Sequence, residues 1–285
     1  MNKSKVAFCN LQNSCSESVR ISIFVVLAAL LSIHATPAQA QGRIDCGAFS
    51  SRVLHRAVRY CVMLPPEYEK SGSQKYPVLY LLDGQWDFKL LDSVIGGLVY
   101  DKWMPDIVVV GITYSGDHPD YDSLRAMDYT PTPGGPKGSG DGAKFLNFLK
   151  TELIPFMETN YRGDPARRIL GGHSLGGLFT LYAMFSDPSL FWGYLAGSPA
   201  IPWDNNFTVR QEEEFAKNHK DLPVRLFFAV GGAEPLVTPD VRFMQSLAAR
   251  NYSGLHWDAR VIEAERHSCV KPEFYNRGLR FLFGN

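Results

Sequence analysis

Apolar residues come in short dense blocks divided by Gly, Pro and Asp. Tyr76-Pro-Val-Leu-Tyr-Leu-Leu82 closes on Asp83-Gly84, and Asp106-Ile-Val-Val-Val-Gly-Ile112 has the same character. Such continuous runs predict strands buried on both faces, because a strand with one wet face alternates instead. Leu54 to Leu64 does alternate and predicts an earlier strand, stopped by Pro65-Pro66. Arg168-Ile-Leu-Gly-Gly-His173, Phe191 to Ala196, Val224 to Val230 and His256 to Ile262 complete the strands. Helical spacing falls between them, at Phe88 to Trp103, at Phe145 to Phe156, at Leu175 to Phe185, and around Pro239–Arg250 and Pro272–Phe283. Early hairpin strands followed by alternating strand and helix predict a doubly wound α/β domain with a mostly parallel central sheet. Ser115 to Gly142 breaks the rhythm with Pro131, Pro133 and Pro136 among Gly134, Gly135, Gly138, Gly140 and Gly142, and predicts a long loop of the lid or binding kind. It carries no G-x-x-x-x-G-K-[ST] pattern, so nucleotide binding is set aside.

The first 40 residues are read apart from the fold. Lys3, Lys5 and Arg20 precede the apolar run Ile21 to Ile33, and Pro37-Ala38-Gln39-Ala40 follows. That is the layout of a secretory signal cut after Ala40, and the run is too short to span a bilayer, which needs about 20 residues. Residues 41–285 are then expected to form one exported domain, periplasmic or secreted, with no stable membrane insertion. Cys46, Cys61 and Cys269 fall within it. An oxidising compartment permits one bridge among them; Cys46–Cys61 would tie the new N-terminus to the first strands. The leftover thiol is read as a small buried apolar residue.

Lys+Arg and Asp+Glu number 29 each, so the formal net charge is zero. This removes the basic face that duplex nucleic acid requires. The run Glu212-Glu213-Glu214 is read as a solvated helix face. The His and Cys spacings match neither C-x-x-C nor H-E-x-x-H, and no metal or organic cofactor is expected.

Gly172-His173-Ser174-Leu175-Gly176 lies between a predicted buried strand and a predicted helix. In that setting G-x-S-x-G forces a sharp turn that lifts the serine to the end of the sheet, so Ser174 is the candidate nucleophile. A serine hydroxyl needs a base to take its proton. Of the seven histidines, only His267 is both late in the chain and just past a strand end, where catalytic groups of parallel sheets gather. The acid that orients the imidazole is expected between them in sequence. Glu234, just beyond Val224 to Val230, is preferred; Asp240 is the competitor, at a helix start where capping would explain it. The oxyanion donors are expected at Leu175 N–H and in the loop after Leu82, from Gln85 or Trp86.

Tyr76 to Gly84, Gly171 to Gly177 and the late Arg266-His267 together resemble the putative esterase family of α/β-hydrolases, over about Ser50 to Phe283. Arg125-Ala-Met-Asp-Tyr-Thr-Pro-Thr132 resembles the R-x-x-D-[YLF]-T-P segment of its siderophore-esterase-like, enterochelin-type branch. Ser198-Pro-Ala-Ile-Pro-Trp203 resembles that branch's SPS-x-WW segment, with Ala200 and Pro202 departing from it. The resemblance implies an α/β-hydrolase fold, a serine hydrolase, and Arg125 near the substrate; a salt bridge from Arg125 to Asp128 is the plainer alternative.

The leading expectation is a carboxylic-ester hydrolase working through an acyl-enzyme on a small-molecule ester, a siderophore or another aromatic or small acyl ester. Trp86, Phe88, Trp103, Trp192 and Trp203 are candidates for an aromatic pocket wall. An acyltransferase shares the same intermediate, and a non-catalytic binding protein on this scaffold is the reading from a different class.

Overall fold

The computed structural model describes residues 42–284, so the expected leader lies outside the described residues. The sheet has eight strands in the order β1-β2-β4-β3-β5-β6-β7-β8. β1 (Ile44–Ser51) and β2 (Arg56–Met63) form an antiparallel hairpin, and β2 pairs antiparallel with β4 (Val108–Tyr114). From there on, β3 (Tyr76–Leu81), β5 (Gly163–His173), β6 (Gly193–Gly197), β7 (Arg225–Gly231) and β8 (His256–Ile262) all run parallel. The expected α/β-hydrolase architecture is present.

Period-two alternation along the central strands assigns each residue to a side. Val78, Tyr80 and Leu82 enter one apolar cluster with Phe148, Phe179 and Phe228, while Leu79 and Leu81 enter the other with Leu195, Phe227 and Phe274. Helices α1 (Gly84–Tyr100) and α8 (Lys271–Phe283) cover the second face through Leu91, Ile95, Phe274 and Leu279. The first face is covered by α3 (Gly142–Phe148), which runs through a wide π turn (Leu149–Leu153) into α4 (Ile154–Asn160), and by α5 (Leu175–Ser186), α6 (Trp203–Asn218) and α7 (Val237–Arg250). Each fully buried Leu or Phe contributes about 1.5–3 kcal/mol relative to exposure.

Several expectations are corrected. Leu54 and His55 belong to the β1–β2 turn, with His55 at φ 55°, and the strand begins only at Arg56. The long proline-rich segment contains a helix, α2 (Tyr121–Tyr129), capped by the Asp120 carboxylate accepting from Ser123 N at 3.1 Å. Its apolar content is too low for periodicity to reveal. Glu212 is not on a wet face: it is buried, held by Arg250 Nε at 2.9 Å and by the Tyr252 hydroxyl at 2.6 Å. Only Glu213 and Glu214 face solvent. Cys46 and Cys61 stand directly opposite in the hairpin register and are joined by a disulfide, while Cys269 is exposed rather than buried. Position just past β8, in a loop, overrides the usual burial of a free cysteine.

Candidate active site

β5 ends at His173 and α5 begins at Leu175, leaving Ser174 alone to make the turn at φ 61°, ψ −118°. A non-glycine residue held there stores about 1–3 kcal/mol of strain, which the surroundings must overcome. The turn closes because Gly172 has no side chain: a Cβ there would meet the Gly176 carbonyl carbon at 2.6 Å. Backbone bonds then lock it. Ser174 N donates to Gly197 O at 2.9 Å, and Ser174 O accepts from Leu178 N at 2.9 Å and Ala200 N at 3.2 Å. The serine is half-buried at the head of a helix whose first N–H groups, Leu175's included, have no partner within the helix.

His267 sits in the loop between β8 and α8, its side chain 38% exposed. Its ring centroid lies 4.5 Å from that of His173, which brings it against the serine turn. Nδ1 donates a short hydrogen bond to Glu234 Oε2. The other oxygen, Oε1, accepts from Ser198 Oγ at 2.5 Å and from Gly231 N at 2.6 Å. Three donors on one buried carboxylate fix its plane. With Nδ1 carrying the proton, Nε2 is left with its lone pair free to accept one.

Asp240 makes no contact of this kind. It lies in the first turn of α7, fully buried, with both carboxyl oxygens unpartnered. Burial, aided by the nearby Glu234 charge, pushes its pKa up to about 9. Nor is it a helix cap, since Leu236 occupies that position. His173 is likewise buried and has an unpartnered Nε2; burial first, then the neighbouring His267 and Lys271, lower its pKa to about 2. It remains a neutral imidazole against which His267 packs.

The segment after Leu82 is the first turn of α1 rather than a loop, with Asp83 at φ 58° ahead of it. Trp86 N already donates to Asp83 O at 3.0 Å, which leaves Gln85 N–H as the donor of the two considered. Asp83 is buried, and burial raises its pKa against the opposing pull of Arg125. Arg125 reaches it from α2 in a two-point fork, Nε to Oδ1 at 2.6 Å and Nη2 to Oδ2 at 2.8 Å. The alternative bridge from Arg125 to Asp128 is therefore not formed; Asp128 pairs with Arg56. The Arg125 guanidinium also stacks 4.9 Å from the exposed Trp86 ring. Trp203 opens α6 and donates from Nε1 to Thr132 O at 3.1 Å, so it clamps the proline-rich loop. Trp103 and Trp192 are far from this end: Trp103 follows α1, and Trp192 immediately precedes β6. They form no part of a pocket wall at Ser174. Phe88 packs over Gly111 beside Gln85, in a cleft of about 290 Å³.

Ser198 and His173 escape residue-level reading of the sequence. Ser198 stands two residues past the predicted strand Phe191 to Ala196, in the segment that resembles SPS-x-WW, where no role was read for it; His173 was visible only as the variable position of the turn motif. Among the described residues, no group of three or more His, Cys, Asp or Glu side chains forms a metal-ligand set.

A family model described as putative esterase matches residues 51–269. The chain belongs to that family. It is 31% identical over 227 residues to the ferri-bacillibactin esterase BesA of Bacillus subtilis, covering 72% of this chain and 78% of the relative. Three other siderophore esterases are matched over only 40–54% of their own length. Among solved structures it is similar to the BES protein from Bacillus cereus, with TM-score 0.76, 26% identity, and 85% and 95% of the two chains covered. An IroE-like serine hydrolase from Shewanella oneidensis gives TM-score 0.76 and 28% identity, with 85% and 80% covered. The siderophore-esterase-like branch is thus where this α/β-hydrolase lies.

Proposed function

We propose that the protein is an exported serine ester hydrolase acting on siderophore-type esters. The observation that carries this is the strained Ser174 turn, with His267 packed against its neighbour His173 and held through Nδ1 by Glu234.

His267 Nε2 takes the hydroxyl proton as Ser174 Oγ attacks the ester carbonyl carbon. The Glu234 carboxylate stabilises the imidazolium that forms. The carbonyl electrons move to oxygen, which rests on the N–H groups of Leu175 and Gln85. Collapse expels the alcohol, which receives the proton from His267 and leaves an acyl-Ser174. Water then repeats the sequence with His267 as base and releases the acid.

Trp86, exposed beside Gln85 and stacked on Arg125, is the surface assigned to substrate contact, with Arg125 held behind it by its fork to Asp83. The similarity to BesA supports a siderophore-type ester as the natural substrate. Export is supported by the Cys46–Cys61 disulfide, which an oxidising compartment sustains.

The test is turnover of p-nitrophenyl butyrate and of a cyclic catecholate triester by the mature chain, beside Ser174→Ala. Loss of both activities in a variant with unchanged melting supports the assignment. Activity that survives Ser174→Ala refutes it.

A further inference from the structure

A second cleft, of about 320 Å³, lies at the other end of the strands. Arg225 and His256 open β7 and β8 and are register partners, whereas Glu234 and His267 lie beyond the ends of the same strands. Seven-residue strands put roughly 20 Å between the two ends. The alternation of β8 turns His256, Asp258 and Arg260 to one face, and all three line this cleft together with the last turns of α8.

Cations outnumber anions there. Arg225, Arg260, Arg277 and Arg280 line the cleft with Asp258 as the one carboxylate among the lining residues. Arg260 is paired with Asp258 at 2.9 Å and Arg277 with Glu273 at 2.5 Å. Arg225 and Arg280 have no carboxylate partner among the described residues. Arg225 donates through Nη2 to Phe281 O at 2.9 Å, yet its Nε is buried without an acceptor, and so is Nε of Arg280. Burial without a compensating anion also lowers the Arg225 pKa.

Aromatic rings hold both guanidiniums. Arg280 lies 4.0 Å from the Trp103 ring centroid, and Arg225 lies 5.3 Å from Phe281 and 5.5 Å from Trp192. Stacking covers the faces of a guanidinium and leaves its N–H edge for an in-plane acceptor. Both side chains are only partly buried and line the cleft, so an oxyanion there supplies the counter-charge that the described residues do not, and accepts from the N–H groups that remain accessible.

We propose that this cleft is a binding site for a small multivalent oxyanion, a carboxylate or a phosphate, held by the unpaired edges of Arg225 and Arg280. The site is separate from Ser174 and does not depend on the esterase reading. Because two like charges stand unneutralised in the free protein, the anion also stabilises the fold by mass action.

Calorimetric titration of the mature chain with citrate and, separately, with inorganic phosphate tests this at constant ionic strength set by sodium chloride. One saturable site per chain is expected, and the tighter of the two ligands identifies the source as carboxylate or phosphate. Arg280→Gln weakens binding about tenfold or more, as loss of a charge-assisted bond does. Arg225→Gln does the same; should it melt early through loss of its bond to Phe281 O, the Arg280 variant carries the test alone. Protein labelled at Ser174 by a phosphonate still binds with unchanged affinity. The proposal is overturned by absence of saturation at tens of millimolar, by unchanged affinity in Arg280→Gln, or by loss of binding on labelling Ser174.

Discussion

Replacing Glu234 by Gln isolates what its charge does from what its shape does. The carboxylate accepts three hydrogen bonds, from His267 Nδ1 on one oxygen and from Ser198 Oγ and Gly231 N on the other. An amide has a single oxygen. Placing it toward His267 would leave two donors facing an NH₂ group, at about 1–3 kcal/mol each. The amide therefore turns its oxygen to Ser198 and Gly231 and presents NH₂ to His267. Nδ1 must then accept, the ring proton moves to Nε2, and the atom that should deprotonate Ser174 already carries a proton. In Ser-His-Asp enzymes the equivalent change lowers kcat by about 10⁴. That corresponds to roughly 5 kcal/mol of barrier.

Glu234→Gln should thus fold normally and lose about four orders of magnitude in kcat. Glu234→Ala also leaves Ser198 and Gly231 without an acceptor, so it should lose stability as well, by about 2–6 kcal/mol in total. The assay is p-nitrophenyl butyrate turnover over a range of pH, with urea unfolding of each variant. A Gln variant that keeps more than about a tenth of wild-type kcat would refute the tautomer argument and remove Glu234 from the triad.

Arg125→Ala strands a buried carboxylate at Asp83 and should cost about 3–5 kcal/mol, read as a lower urea midpoint. Arg125→Lys should recover only part of this, because an ammonium cannot reproduce the two-point fork. Asp240→Asn should stabilise the protein at neutral pH. The folded-state pKa of Asp240 is raised to about 9 from 3.8, so its contribution to stability is fully present below the unfolded value and is lost as pH rises toward 9. The variant's melting advantage over wild type should therefore shrink as pH falls toward 4. An advantage that is the same at both pH values would show that Asp240 does not take up a proton on folding.

Legibility in the sequence followed the physics of each element. β3 and β4 were readable because burial on both faces makes their residues almost continuously apolar. α2 was not: it is short, begins in a polar stretch and is stabilised by tertiary partners of Arg125 and Asp128 that no local pattern shows. Ser174 was legible because a strained strand-to-helix turn demands its own glycines. The pairing of His267 with Glu234 rather than Asp240 is different in kind. Both acids follow β7 closely, and only the loop's path decides which one reaches the imidazole. Glu212 was misassigned because three consecutive glutamates occupy different sides of a helix, and the buried side met Arg250 from a distant element.

The arrangement of the site depends on how residues 197–200 tie its parts together. Gly197 O takes the Ser174 N–H, and Ala200 N returns a bond to Ser174 O. Between them Ser198, at φ 38° and fully buried, donates its hydroxyl to Glu234 while its N–H bonds Ala229 O on β7 at 2.7 Å. The backbone of the proposed nucleophile and the side chain of the proposed acid are thus fixed by neighbouring residues at the end of one central strand. His267 comes from a loop, but it is gripped on one side by Glu234 and packed on the other against His173. Preorganisation of this kind sets the spacing of the proposed catalytic groups through the ends of the strands and the contacts that grip His267. A change at Ser198 should accordingly act through the position of Glu234, without touching either the serine or the histidine.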